Sequence, residues 1–361
     1  MNDALLIDLP DTRHESWRWA DLSALRAAAA SPRGSTPEPQ AIDLPGHRLV
    51  FVDGVYQPDR SQPGPVQIEA LDLATDHALG RAAQRGTGWS LTLGKAAAAD
   101  PVQIIHLGSG GESHLPVRIT LAEDATASIV ETFAGQGWAN RLTQIDLARG
   151  ARLQRSVRLV QDGGFVSTRD EAMLADTASL VQVFLAAGGM GTRIDGELQL
   201  AGEGAFAEMG GALLTREAQK QEAAVAVRHV GQNGQSKQVW RAVAADRSTA
   251  SLAARVEVAR HAQKTDGEQS LRGLLLQRTA TVNLKPELEI FADDVKCAHG
   301  ATVGELDARA LFYLQSRGLP LGRAQALLTR AFVADALDRI GEEVVREAFA
   351  ADADRWLEQA L

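Results

Sequence analysis

Apolar and polar positions along this 361-residue chain change their period twice. Near the start, Trp17, Leu22, Leu25 and a run of alanines recur at helical spacing and predict a helix from about Glu15 to Ala30. Seven of the twelve prolines then fall between Pro32 and Pro65, so Ser31 to Pro65 reads as irregular connecting chain. From about Val102 to Asp307 the pattern becomes short alternating strands broken by Gly, Asp and Asn. Helical spacing returns from Glu305, with Leu306, Ala310, Leu311 and Leu314 in one stripe. Gly318 and Pro320 stop and restart the helix. A second stripe carries Ala324, Leu327, Leu328, Ala331 and Phe332 towards Ile340, and a third helix is predicted from Glu342 to Leu357. These helices either cap the open end of the strand array or dock a partner.

The strand region repeats. Asp124-Ala125-Thr126-Ala127, Gly150-Ala151-Arg152-Leu153, Thr177-Ala178-Ser179-Leu180 and Gly204-Ala205-Phe206-Ala207 recur at intervals of 26, 27 and 27 residues. Each joins a turn-prone or small residue to a small apolar one and runs into a strand such as Leu180–Phe184. A fixed period of this size is the mark of a solenoid, in which every repeat stacks its apolar face on the next. A sandwich or barrel of evenly spaced strands is the competing reading. Beyond Gly204 the period blurs.

Composition narrows the function. Apolar residues make up 45% of the chain and aromatic ones 5%, so Ala, Leu and Val must fill the core. A net charge of −9 with no sustained basic run disfavours nucleic-acid binding. No stretch approaches the length of a membrane span. The single cysteine cannot form an internal disulfide, and Met1 to Pro10 lacks the plan of a signal peptide, which together predict a cytoplasmic protein.

That cysteine lies in Asp293-Asp294-Val295-Lys296-Cys297-Ala298-His299-Gly300-Ala301-Thr302. On a strand Cys297 and His299 share a face, and a thiolate beside an imidazole suits iron, zinc or sulfur chemistry. Two ligands make half of a four-coordinate site. The competing readings are a buried cysteine with a carbonyl-bonded histidine, or a Cys–His nucleophile pair. Asp293 and Asp294 read as a solvated acidic turn, since neighbouring strand residues face opposite ways. His106, His114, His229 and His261 show no metal spacing and read as surface or internally satisfied histidines. Gly108-Ser109-Gly110-Gly111 and Gly188-Gly189-Met190-Gly191 read as turns; neither has the residues of a phosphate loop, so no ATP site is predicted.

The stretch Pro286 to Gly304, followed by Leu311-Phe312-Tyr313-Leu314-Gln315-Ser316-Arg317-Gly318 and Ala324 to Phe332, resembles the SufB/SufD family of iron–sulfur cluster assembly proteins. Arg13-His14-Glu15-Ser16-Trp17-Arg18-Trp19 is similar to the family's N-terminal motif, with Trp19-Ala20 in place of Tyr-Thr. Ala262-Gln263-Lys264-Thr265-Asp266 and Gln269 match it in pattern. With one cysteine, the chain resembles the SufD branch more than the cysteine-richer SufB branch.

The resemblance implies a right-handed parallel β-helix over residues 101–304, between an N-terminal helical and irregular region (1–100) and a C-terminal helical domain (305–361). It implies a non-enzymatic scaffold that pairs with SufB through the β-helix and shares a transient iron–sulfur cluster there, with Cys297 and His299 at the interface. It further implies docking of the SufC ATPase on the C-terminal helices, around Tyr313, Arg317, Leu327, Leu328 and Phe332, with ATP hydrolysis driving a change that exposes Cys297 and His299. A homodimer in isolation is compatible with exposed sheet edges. A purely structural partner of SufB and a solenoid enzyme acting on polysaccharide are the alternatives.

Overall fold

A computed structural model describes residues 9, 13–38 and 41–361, so of the Met1–Pro10 stretch only Leu9 is among the described residues. A 3-10 turn at Glu15–Trp17 precedes helix α1 (Leu22–Ala29). The single helix expected there is split because the Asp21 side chain accepts the Ser23 and Ala24 N–H groups at 3.2 and 3.1 Å and so starts a new helix. The proline-rich stretch is only partly irregular: it holds strands β1 (His47–Val52) and β2 (Val55–Tyr56). Strand β3 (Val66–Asp72), helix α2 (Ala78–Ala83) and strand β4 (Arg85–Leu93) follow, β3 and β4 pairing antiparallel.

The remaining strands form a parallel β-solenoid of about eight turns. They are β5 (Val102–Leu121), β6 (Thr126–Leu147), β7 (Arg152–Leu159), β8 (Phe165–Leu174), β9 (Ser179–Ala186), β10 (Gly191–Leu200), β11 (Phe206–Thr215), β12 (Lys220–His229), β13 (Gln235–Ala244), β14 (Thr249–Val258), β15 (Asp266–Leu275), β16 (Thr281–Ile290) and β17 (Lys296–Glu305). From β6 onward each strand pairs in parallel with the strand two further on, so two ladders stack side by side. The even-numbered strands from β8 to β16 build one ladder and the odd-numbered from β7 to β17 the other. Strands β5 and β6 are long enough to serve both, and β5 changes register between Ser109 and Glu112, in its glycine-rich segment. Strand β1 joins the odd ladder through β5, which makes residues 47–52 part of the solenoid wall. All-parallel pairing rules out the sandwich.

The repeat seen in the sequence is one corner of every coil. Asp124, Gly150, Thr177 and Gly204 all have positive φ (58°, 69°, 52° and 65°), and Ala96, Asn233 and Lys264 take the same conformation before and after them. Each corner N–H donates to a carbonyl of the next coil: Gly150 to Asp176, Thr177 to Glu203, Gly204 to Gln232. The left-handed conformation costs a non-glycine residue roughly 1–2 kcal/mol. The ladder hydrogen bonds that it permits offset that cost. The alanine after each corner, at 125, 151, 178 and 205, is wholly buried where coils approach closely. The period continues past Gly204 but lengthens: Phe206 pairs with Gln235, Gln235 with Asp266 and Asp266 with Lys296. The blurring is therefore growth of the coil, not its end.

Inside, one apolar core runs the length of the solenoid, with Trp89, Phe133, Phe184 and Trp240 among its largest members. A buried charge cluster crosses it. Arg155 donates to Glu131 at 2.6 Å and to Asp170 at 2.5 Å, Gln182 donates to Asp170, and His106 lies 3.3 Å from Glu131. Burial alone would raise Glu131, but Arg155 and His106 draw its carboxyl down to about 2.

Three helices end the chain: α3 (Ala308–Ser316), α4 (Leu321–Leu337) and α5 (Glu343–Ala360). Helices α4 and α5 do not cap the open end. Val333, Leu337, Phe349, Trp356 and Leu357 lie along the outer face of the odd ladder, against Val183, Leu185, Leu214 and Val243. Arg158 fastens them by a bidentate pair with Asp352, and Arg241 by pairing with Asp335. Helix α1 and Trp17 cover part of the opposite wall, against Trp138 and Phe165.

Burial lowers His106, His114 and His229 from 6.5 to about 4, with Arg141 adding repulsion at the first two. Their folded-state pKa values lie below the unfolded ones, so the unfolded chain takes up more protons between those limits. The stability that these neutral imidazoles contribute is fully present above pH 6.5 and is lost as pH falls towards 4. The urea midpoint is expected to drop over that interval and to drop less in His229→Gln; a flat midpoint would show that these imidazoles charge without unfolding.

Candidate functional site

The open C-terminal end of the solenoid is formed by β16 and β17. Almost every residue of β17 is exposed, in contrast to the inner strands. Cys297 is the exception, half-buried and packed against the apolar core. Its direction is fixed by register: Cys297 pairs with Gly267, and a Cβ placed on Gly267 would lie 3.4 Å from Cys297 Sγ. The thiol therefore points along the inside of the coil. His299, two residues on, is on the same side and pairs with Gln269. The two predicted ligands are thus brought together at the lip of the solenoid, as strand periodicity required.

The surroundings of the pair agree with the sequence reading of an acidic turn. Asp293 and Asp294 lie in the exposed bend between β16 and β17, where Asp294 O accepts the Lys264 corner N–H. Burial pushes the Cys297 thiol up, with the Gly267 backbone N–H partly opposing it and Asp266 adding to it. The resting group is the protonated thiol. Among the described residues no cluster of three His, Cys, Asp or Glu side chains could hold a metal ion. The lip offers one thiol and one imidazole.

The other histidines behave as read. His106 contacts Glu131, His114 contacts Asn140, and His229 contacts Ser236 at 2.8 Å, while His261 is exposed. The internal ion cluster of Glu131, Arg155 and Asp170 was not foreseen, because charged residues on an alternating strand read as outward-facing.

A groove of about 500 Å³ on the outside of the even ladder is lined by Trp17, Trp19, Arg193, Asp195, Glu222 and Lys285. Its acids are engaged. Arg193 donates to Asp195 and Glu222 at 2.6 Å, donates to Ser16 O at 2.8 Å and stacks on Trp17. The N-terminal motif is thus a clasp built around Trp17.

On the terminal helices, Tyr313 is 57% exposed with Arg317 stacked 5.2 Å from its ring centroid, and Leu327 is 45% exposed. Leu328 and Phe332 are half-buried, and Phe332 leans on the cluster beneath α4 under Arg241. Sequence reasoning passed over the most exposed apolar side chain of this patch, Phe312, at 73%. Its place opposite Leu311 and Leu314, which are half-buried, was the available signal.

A profile described as "SUF system FeS cluster assembly, SufBD core domain" matches residues 105–332, from the second coil wall through Phe332. The chain belongs to the SufBD family. The SufD protein of Escherichia coli is 28% identical over 96% of this chain and 89% of its own length. A SufBD family protein of Mycobacterium bovis is 25% identical over 99% of this chain and 91% of its own. A chloroplast protein of Arabidopsis thaliana is 40% identical over 32% of the chain. The chain is therefore a SufD-like iron–sulfur cluster assembly family protein, and no helix among the described residues is long and apolar enough to cross a membrane.

Because burial raises the Cys297 thiol, the sulfur is held protonated and reacts slowly as a nucleophile. Iodoacetamide is expected to label Cys297 several-fold more slowly in the folded chain than in the urea-unfolded chain at about pH 8. Equal rates would show an accessible, unshifted thiol.

Proposed function

We propose that this SufBD family protein is a non-enzymatic scaffold subunit that joins SufB end to end at β16 and β17 and builds an iron–sulfur cluster between them. The observation that carries this reading is the pair Cys297 and His299, set on one inner face at the solenoid's open lip. An unpaired strand edge ten residues long recruits another strand edge, and a thiol with one imidazole needs ligands from another chain. The cluster is cargo here. Cys297 loses its proton to take iron, and His299 offers a neutral ring nitrogen.

In the same reading, residues 305–361 act as the docking unit for SufC. Phe312, Tyr313, Leu321 and Leu327 present apolar surface along α3 and the start of α4, bordered by Arg317. Nucleotide-driven movement of SufC would pull on helices that Arg158 and Arg241 tie to the solenoid wall, and so expose the lip that SufB covers in the complex. The assembly is placed in the cytoplasm.

Co-expression with SufB and SufC, followed by anaerobic reconstitution, tests the cluster site. His299→Ala and Cys297→Ser are each expected to lower bound iron and sulfide about tenfold while the complex still co-purifies. Unchanged iron and sulfide would leave a structural partner of SufB. For the docking surface, Phe312→Ser with Tyr313→Ser should abolish co-purification of SufC and spare that of SufB. Retention of SufC would move its site off α3.

A further inference from the structure

The inner side of the odd ladder carries two successive amides, Gln238 and Gln269, that lead to His299, with Gln182 lower down and set apart from them by Met209. Register pairs Arg155 with Gln182 low in the solenoid, Gln238 with Gln269 near its end, and Gln269 with His299 at the lip. Gln269 is 1% exposed. Its amide nitrogen donates to Glu287 O on the facing strand β16 at 3.3 Å. Only the NH2 group can donate to a carbonyl, so this bond also fixes which way the amide oxygen points. That oxygen is buried and has no donor among the described residues.

A buried carbonyl-type oxygen without a donor is costly, by about 1–3 kcal/mol. Register places one donor next to it. His299 occupies the adjoining rung, and paired residues on neighbouring strands lie about 4.8 Å apart with side chains on the same face. The imidazole is exposed and has no hydrogen-bond partner among the described residues, so its ring is free to turn onto Gln269 Oε1. Gln238 has the same kind of unpaired oxygen one rung deeper, where the neighbour is Gln269 and no histidine is in reach.

We propose that Gln269 is the positioning residue of His299. Its side-chain oxygen takes the ring N–H, selects one tautomer and leaves the other ring nitrogen bare and directed out of the lip. A metal-binding histidine needs this arrangement, because the nitrogen that binds metal must carry a lone pair and the other a proton held by an acceptor. The inference rests on the reading of His299 as a ligand, and it gives the unpaired oxygen of the buried Gln269 a partner at the penultimate rung. It also separates the roles of the two lip residues: Cys297 packs on the core, and His299 is oriented from behind.

Ring 15N chemical shifts of His299 in the isolated full-length chain, at about pH 8.5, read the tautomer ratio without any cluster. His299→Ala assigns the signals. The wild-type tautomer ratio should differ several-fold from that of His299 in the urea-unfolded chain. Gln269→Leu should bring the ratio to within about twofold of the unfolded value, Gln269→Glu should restore the wild-type ratio by keeping an acceptor oxygen, and Gln238→Leu should leave the ratio at the wild-type value. Thermal melts of the variants confirm folding. The proposal is overturned if Gln269→Leu keeps the wild-type ratio, or if Gln238→Leu changes it as much. Loss of iron binding by His299→Ala in the complex of this chain with SufB and SufC tests His299 itself and is scored apart. A Gln269 effect on tautomer without a His299 effect on iron would retain the positioning contact and reject the ligand.

Discussion

Coil-to-coil backbone pairing is the constraint on which the rest depends. Each strand must return in register beside the strand two before it, and it does so only because the corner residue enters the left-handed region and donates its N–H to the next coil. Ala96, Asp124, Thr177, Asn233 and Lys264 accept that conformation despite their side chains. Buried alanines at 125, 151, 178 and 205 then keep the coils close. Once register is set, parity follows for every side chain, and with it the contents of the interior and of the two outer walls.

The same pairing rule explains the ends. An inner coil has both edges satisfied; the last one does not. Strand β17 is exposed along nearly its whole length, and the terminal helices, which have apolar faces able to cover it, lie instead along the odd ladder. Arg158–Asp352 and Arg241–Asp335 hold them there. A parallel solenoid with a bare lip and a laterally fixed helical unit presents two separate surfaces. Cys297 and His299 lie on the bare one.

The interior is less uniform than the aromatic-poor composition implied. Arg155 sits fully buried between Glu131 and Asp170, and His106 is held neutral beside them. A buried ion cluster of this kind is weak evidence for stability, because desolvation offsets much of the attraction. It does exclude slipped registers, since a one-residue shift would turn all of these charges to the outside and apolar groups with them.

Much of this was legible in the sequence. The corner repeat, the parity of Cys297 and His299 and the three terminal helices all follow from local properties: which residues tolerate a tight turn, and the periods of 2 and 3.6. The blurred repeat beyond Gly204 was a lengthening coil, which only register could show. The inward charges at Glu131, Arg155 and Asp170 were hidden because alternation does not say which face is the core. The lip was hidden as well, because which strand edge stays bare depends on where α4 and α5 come to rest. Gln269 could be noted as a residue but not given a task, since its neighbour at His299 lies thirty positions along the chain and one rung away in space. Local sequence sets turns and faces; only the stacking of distant segments decides what those faces meet.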